Sequence, residues 1–196
     1  MSDIKSALEI AMEKVGKLEK ATDEERLDWK YVPEGEKLAA SYLKEDCNLA
    51  VELGRYEEKA RRYIIKGAVN ILVRNIKLPK NDLAKRNNRR AMEGLKSLKT
   101  DKVAVENVYS KLRRVFSHYV EQGEQQRKQA YETLKTEFEA KVQQAMQQQL
   151  GLNTGIKIDV EKQPQFQEEW RQMQTRLDSQ YHKLLNDYLH ELSAIP

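Results

Sequence analysis

The side chains in this sequence that could take part in acid–base or metal chemistry are few, because the chain has 3 His and 1 Cys. His118-x-x-Glu121 could place two ligands on one helix face, and Asp187-x-x-His190 has the spacing of one arm of a carboxylate di-iron site. Such a site needs carboxylates from several helices and a Glu-x-x-His pair on each of two. Since the sequence holds one Asp version of that pair, we interpret His118, His182 and His190 as surface histidines and predict no metal site.

The single cysteine gives no stronger indication of catalysis. Cys47 is flanked by Glu45 and Asp46, and acidic neighbours disfavour the thiolate that acts as a nucleophile. Neither a glycine-rich phosphate loop nor a Gly-x-Ser-x-Gly nucleophile elbow occurs in the sequence. We therefore predict no catalytic residue and no cofactor site, and we expect a protein that is not an enzyme.

The strongest chemical signal is a basic central block, residues 55–114, with 18 Lys and Arg against 6 Asp and Glu. Both flanking segments are acidic, so the net charge of the whole chain is only +4. Two explanations stay open: the acidic segments fold back onto the block, or the block faces an anionic partner such as nucleic acid. No aromatic residue lies between Lys77 and Tyr109, so the ring stacking used on single strands is missing there. The candidate anionic-partner face consists of Lys85, Arg86, Arg89, Arg90, Lys96 and Lys99.

Helices must position these residues, because turn-forming residues are scarce, with 8 Gly and 4 Pro in 196 residues. Apolar positions recur at three- and four-residue steps along most of the chain, as is typical of amphipathic helices. We predict a short turn after Thr22, a break at Val32–Gly35, and helices over residues 3–20, 36–78, 82–100, 101–150 and from Pro164 onward. Gly54 or Gly67 could divide the second helix, although Gly67 falls on its apolar seam and would there let a neighbouring helix approach. Gly123 is the candidate hinge of the fourth helix.

The last helix carries the most regular apolar stripe in the chain. The members of this α-helical stripe are Phe166, Trp170, Met173, Leu177, Tyr181, Leu184 and Tyr188. Residues 127–150 carry a similar narrow stripe, so the two segments can form an antiparallel coiled-coil-like hairpin across a connection at 151–163. Within that connection Ile156–Val160 alternates apolar and polar residues, and either pairs with a second copy or lies extended across a helix.

The patterns together predict an all-α fold, an elongated helical bundle of two parts. Residues 1–122 form a helical bundle that contains the basic block, and residues 123–196 form a projecting hairpin arm. A narrow hairpin buries little surface, so we expect a third helix or a second subunit to cover it, and the stripe of the last helix is a candidate self-association surface.

We expect a non-enzymatic scaffold or adaptor that forms a homo-oligomer, with a dimer favoured, and that binds a further protein whose identity the sequence does not give. The alternative is a nucleic-acid-binding protein that uses the cationic helix face around residues 85–99. The first 20 residues are charged throughout, and the longest weakly polar run, Gly67–Val73, is far shorter than a membrane span. With one cysteine and no partner for it in the chain, we expect a cytoplasmic protein without membrane association.

Overall fold

The computed structural model describes residues 22–44, 47–150 and 159–196, and the regular elements in these ranges are helical. In chain order they are α1 (Asp23–Lys44), α2 (Leu49–Leu53), α3 (Glu58–Arg74), α4 (Asp82–Leu98), α5 (Lys102–Leu150), a 3₁₀ turn (Val160–Lys162) and α6 (Pro164–Ala194). The predicted all-α class with long helices is confirmed, since α5 has 49 residues and α6 has 31. Within the described ranges, none of the helices has the length and apolar character needed to cross a membrane.

Helix α1 begins at a capping box. The Glu25 N–H donates to the Thr22 hydroxyl (3.3 Å), and the Thr22 N–H donates to the Glu25 carboxylate (2.8 Å), which satisfies donors that a helix start leaves open. The helix then continues through Pro33 to Lys44, so the predicted short turn and break at Val32–Gly35 are wrong. A proline inside a helix removes one backbone hydrogen bond, and the packing of α1 along α3 outweighs that loss.

The contact between α1 and α3 depends on two glycines. A Cβ on Gly35 would lie 2.0 Å from the carbonyl oxygen of Ile64, and a Cβ on Gly67 would lie 2.1 Å from the carbonyl oxygen of Val32. Each backbone therefore approaches the other at a residue without a side chain. Gly67 has the role that the sequence predicts, and its partner Gly35 lies in the segment where a break was expected.

The helix predicted over residues 36–78 is divided into three. The Asn48 side chain caps α2 by accepting hydrogen bonds from the N–H groups of Ala50 (3.0 Å) and Val51 (3.4 Å). Gly54 is the C-terminal cap of α2, which confirms it as a point of division. Helix α3 then runs to Arg74 with a buried face that contains Ile64, Gly67, Ala68 and Leu72.

The starts of the next helices agree with the sequence predictions. The Ala84 N–H donates to the Asn81 side chain at the start of α4 (2.8 Å), and α6 begins at Pro164. Helix α5 is unbroken from Lys102 to Leu150, so the predicted hinge at Gly123 is wrong. One glycine costs a helix interior about 1 kcal/mol relative to alanine, which a helix of this length tolerates.

The chain forms two compact units. The first contains the described residues up to Ile76, together with Arg86–Val105 and Ile195–Pro196; the second contains Lys77–Lys85 and Glu106–Ala194. The division predicted between residues 122 and 123 lies inside α5 and within the second unit.

Helices α5 and α6 lie antiparallel within the second unit. Lys111 pairs with Glu191 (2.8 Å), whereas the ring centroid of Phe138, much later in α5, lies 5.6 Å from that of Phe166 at the start of α6. Leu134, Phe138, Phe166 and Val160 form a buried cluster at that end of the pair. Val160 is the last residue of the segment in which apolar and polar residues alternate. Residues 151–158 of the connection lie outside the described ranges. The helix predicted over residues 3–20 also lies outside them.

Candidate functional site

Helix α4 exposes only part of the predicted cationic face. Arg86, Arg89 and Lys96 are exposed, and Lys85 is half exposed and pairs with Asp82 (3.0 Å). Arg90 is half-buried, with its guanidinium 4.9 Å from the ring centroid of Tyr42.

Lys99 does not belong to the exposed part of that face. Its side chain is buried, and its ammonium donates to the carbonyl oxygen of Ile195. Burial lowers the pKa of the Lys99 ammonium. Beside it, the Thr100 N–H and hydroxyl both donate to the carbonyl oxygen of Pro196 (2.9 and 3.0 Å), so Lys99 helps to fix the last residues of the chain.

Some of the basic block is paired with acidic residues of α1. Arg62 lies 3.3 Å from the Glu24 carboxylate, and Lys66 lies 2.5 Å from that of Asp28. Three of the four side chains are largely exposed and that of Asp28 is 33% exposed, and surface ion pairs contribute only about 0–1 kcal/mol each. Internal pairing therefore accounts for two cations of α3.

The apolar stripe of α6 is partly covered by α5 of the same chain. Phe166 is buried, Trp170 packs edge-on against Tyr131 (centroids 5.0 Å), and Tyr181 packs edge-on against Tyr119 (5.1 Å). The other members remain accessible, since Met173, Leu177 and Tyr188 are half-buried and Leu184 is 43% exposed.

A buried carboxylate lies beside that stripe, and sequence reasoning missed it. Asp178 is 4% exposed; its oxygens lie 2.9 Å from the Lys80 ammonium and 3.3 Å from the Arg127 guanidinium. The Tyr119 hydroxyl donates to the same carboxylate (3.3 Å). The sequence signal that could have identified Asp178 is its spacing, because Asp178, Leu185 and Leu192 recur every seven residues. All three are buried. An acidic residue beside an apolar stripe is usually interpreted as an exposed residue at the edge of the stripe. On that interpretation Asp178 is not recognised as a buried carboxylate.

The Asp178 network fixes Arg127 and Tyr119 in place. The Arg127 guanidinium lies 4.2 Å from the ring centroid of Tyr119 and donates to the backbone carbonyl of Tyr119 (3.2 Å). Burial, with the negative charge of Asp178 beside the hydroxyl, raises the pKa of Tyr119 to about 12. The phenol is therefore a neutral hydrogen-bond donor to Asp178 near pH 7.

A cleft of about 660 Å³ opens above this network, within the second unit. Four cationic side chains line it, and its acidic lining residues are Asp178 and Glu124. We call it the cationic cleft, and its charged and titratable lining consists of Lys80, Lys85, Arg127, Arg171, His182, Asp178, Glu124 and Tyr119. Of the cationic face predicted on α4, Lys85 is the member that lines this cleft.

The histidines and the cysteine lie in separate places. His118 Nδ1 is 2.9 Å from the Tyr181 hydroxyl oxygen, and His182 lies on the cationic cleft. Cys47 is half-buried in the first unit, in a recess that it shares with Tyr42 and Arg90. Among the described residues, no group of three or more His, Cys, Asp and Glu is arranged to hold a metal ion.

In a comparison with protein families, residues 50–194 match DUF6657, a family of unknown function. The chain belongs to this family. No curated protein and no solved structure matches it significantly. The DUF6657 match includes the whole lining of the cationic cleft and the stripe of α6, whereas α1 lies before its first residue.

Proposed function

We propose that this DUF6657 protein is a non-enzymatic cytoplasmic adaptor that self-associates through α6. The observation that carries the proposal is the uneven burial of its apolar stripe. Phe166 at one end of the stripe is buried, while Met173 and Leu177 are half-buried and Leu184 is 43% exposed. An apolar stripe that one neighbouring helix covers only in part can pack against a further helix.

The spacing of the stripe favours a second copy of the same helix as the occupant. Trp170 and Leu184 lie seven residues, about two helical turns, on either side of Leu177. A two-fold axis near Leu177 would place Trp170 of one copy against Leu184 of the other, and Leu177 against itself. Such self-complementarity is what an isologous dimer requires.

A cysteine at the proposed axis tests this arrangement. In a Cys47→Ser background, Leu177→Cys should form a disulfide-linked dimer under mild oxidation, because an axial residue faces its own copy. Gln172→Cys, at an exposed position on α6, is the matched control and should form no disulfide-linked dimer under the same conditions. Sedimentation of the unmodified chain should show a dimer. A monomer in sedimentation, or equal cross-linking of the two variants, would refute self-association through this stripe.

A second candidate function is nucleic-acid binding, favoured by the exposure of Arg86, Arg89 and Lys96 on one helix. Arg86→Ser with Arg89→Ser should weaken a mobility shift of generic DNA or RNA, and the shift should decrease steeply with salt. Lys141→Ser with Lys162→Ser, exposed positions elsewhere, is the charge-matched control. The absence of any shift at low salt would remove this candidate.

A further inference from the structure

The cationic cleft has the size of a small-molecule site. Its volume of about 660 Å³ lies in the range of roughly 300–1,000 Å³ that is common for such sites. Its walls come from three places in the second unit: the segment with Lys80 and Lys85, the middle of α5 with Arg127, and the part of α6 that begins at Arg171.

The floor of the cleft is rigid and organised around Asp178. The Asp178 side chain is 6% exposed and that of Arg127 is 19% exposed, and Arg127 is held by the carboxylate, by the Tyr119 ring and by the Tyr119 carbonyl. A guanidinium has five N–H donors in a fixed plane. Asp178 therefore orients Arg127 and Lys80, and its single negative charge cannot neutralise both of them.

The cations at the rim can move toward a ligand. The side chains of Lys85 and Arg171 are 51% and 75% exposed. Their present partners, Asp82 and Glu168, lie three residues away on the same helix. Because exposed pairs of this kind contribute little, a bound anion of higher charge would displace these contacts easily.

We infer that the cationic cleft binds a small molecule carrying two or more linked phosphate groups. The four cations of the lining, two at the floor and two at the rim, exceed the charge of its two carboxylates, Asp178 and Glu124. Arginine binds phosphate oxygens through paired N–H groups, and lysine adds compact positive charge. Pro79 and Val120 complete the wall with apolar surface, which leaves room for an organic group attached to the phosphates. This inference is independent of self-association through α6.

Calorimetric titration of the full chain with pyrophosphate tests the inference. Lys85→Gln with Arg171→Gln should raise the Kd for pyrophosphate about ten-fold or more, because each removes a charged hydrogen-bond donor. The matched control is Lys162→Gln with Arg55→Gln, which removes one exposed lysine and one exposed arginine from ion pairs of the same three-residue spacing. The control should leave the Kd unchanged.

Titrations with other anions define the ligand class. Pyrophosphate should bind more tightly than inorganic phosphate or citrate; equal binding of citrate would overturn the assignment to phosphates. Adenosine diphosphate that binds more tightly than pyrophosphate would assign a nucleotide, and equal affinity would assign the diphosphate group alone. Undetectable binding of pyrophosphate, or equal weakening by the cleft and control variants, would overturn the proposal.

A histidine resonance locates the bound anion independently of affinity. His182 lines the cleft and His190 does not. Adding pyrophosphate should therefore shift the imidazole signal of His182 and leave that of His190 in place. A shift of His190 without one of His182 would place the anion elsewhere and refute the site.

Discussion

At the scale of single residues, the second unit depends on one buried charge. Asp178 accepts from the Tyr119 hydroxyl and lies between the cations of Lys80 and Arg127. Removing one member of a buried ion pair leaves its partner without compensation, which is far more costly than losing an exposed pair. Asp178 thus links α6 both to α5 and to the segment before α4.

We predict that Asp178→Ala lowers the free energy of unfolding by about 2–4 kcal/mol. The loss is smaller than for a fully enclosed pair because the Lys80 side chain is 56% exposed. Urea denaturation followed by circular dichroism measures it. Asp159→Ala, which breaks an exposed pair with Lys162, is the control and should cost about 1 kcal/mol or less. Equal effects of the two variants would show that the Asp178 network has no special role.

The pKa of Tyr119 gives a pH dependence at the same site. Its pKa is about 12 in the folded chain against an ordinary value of 10.0, so the folded state keeps the phenolic proton that the unfolded state loses. This contribution to stability is complete below pH 10 and is lost as the pH rises toward 12. The urea midpoint should therefore fall more steeply over that interval in the unmodified chain than in Tyr119→Phe. Parallel pH profiles would contradict the assignment.

At the scale of elements, sequence reasoning succeeds where the signal is local. The side chain of Asn81 caps α4, and Pro164 begins α6, because both act on backbone within one turn. It fails at Pro33, where packing between α1 and α3 overrides the local preference. It also fails for the cationic cleft, since Lys80, Arg127 and Asp178 come together only when three distant segments pack.

The crossing of α1 and α3 carries a prediction at this scale. Gly67→Ala should destabilise the chain by about 2–3 kcal/mol or more, because the added Cβ would lie 2.1 Å from the backbone carbonyl of Val32 and backbone cannot move aside cheaply. Gly54→Ala is the control: Gly54 has ordinary helical angles, and a Cβ there would lie 3.2 Å from the Val51 carbonyl oxygen, a close contact without the overlap found at Gly67. It should change stability by about 0.5 kcal/mol or less. Thermal unfolding of both variants measures the difference in stability.

At the scale of the whole molecule, the residues that the family model matches are fewer than the residues that pack together in the folded chain. The DUF6657 match begins at residue 50, yet α1 (Asp23–Lys44) packs along α3. Ile64, Ala68 and Leu72 on the buried face of α3 are 0% exposed. Part of that burial comes from α1, whose Gly35 meets the backbone at Ile64.

We therefore predict that a chain beginning at residue 50 is less stable than the full chain, although it contains everything that the family match covers. Without α1, the Gly35–Ile64 contact is lost and apolar surface of α3 enters water, at about 25 cal/mol for each Å² exposed. The truncated chain should melt at a lower temperature and bind a hydrophobic dye such as ANS, which the full chain should not. A chain beginning at residue 22 is the control for the α1 contribution, because it retains Asp23–Lys44 and its capping box. If the chains beginning at 22 and at 50 unfold at the same temperature, the glycine-mediated crossing contributes nothing to the stability of the unit, and α3 is held in place by the residues after it.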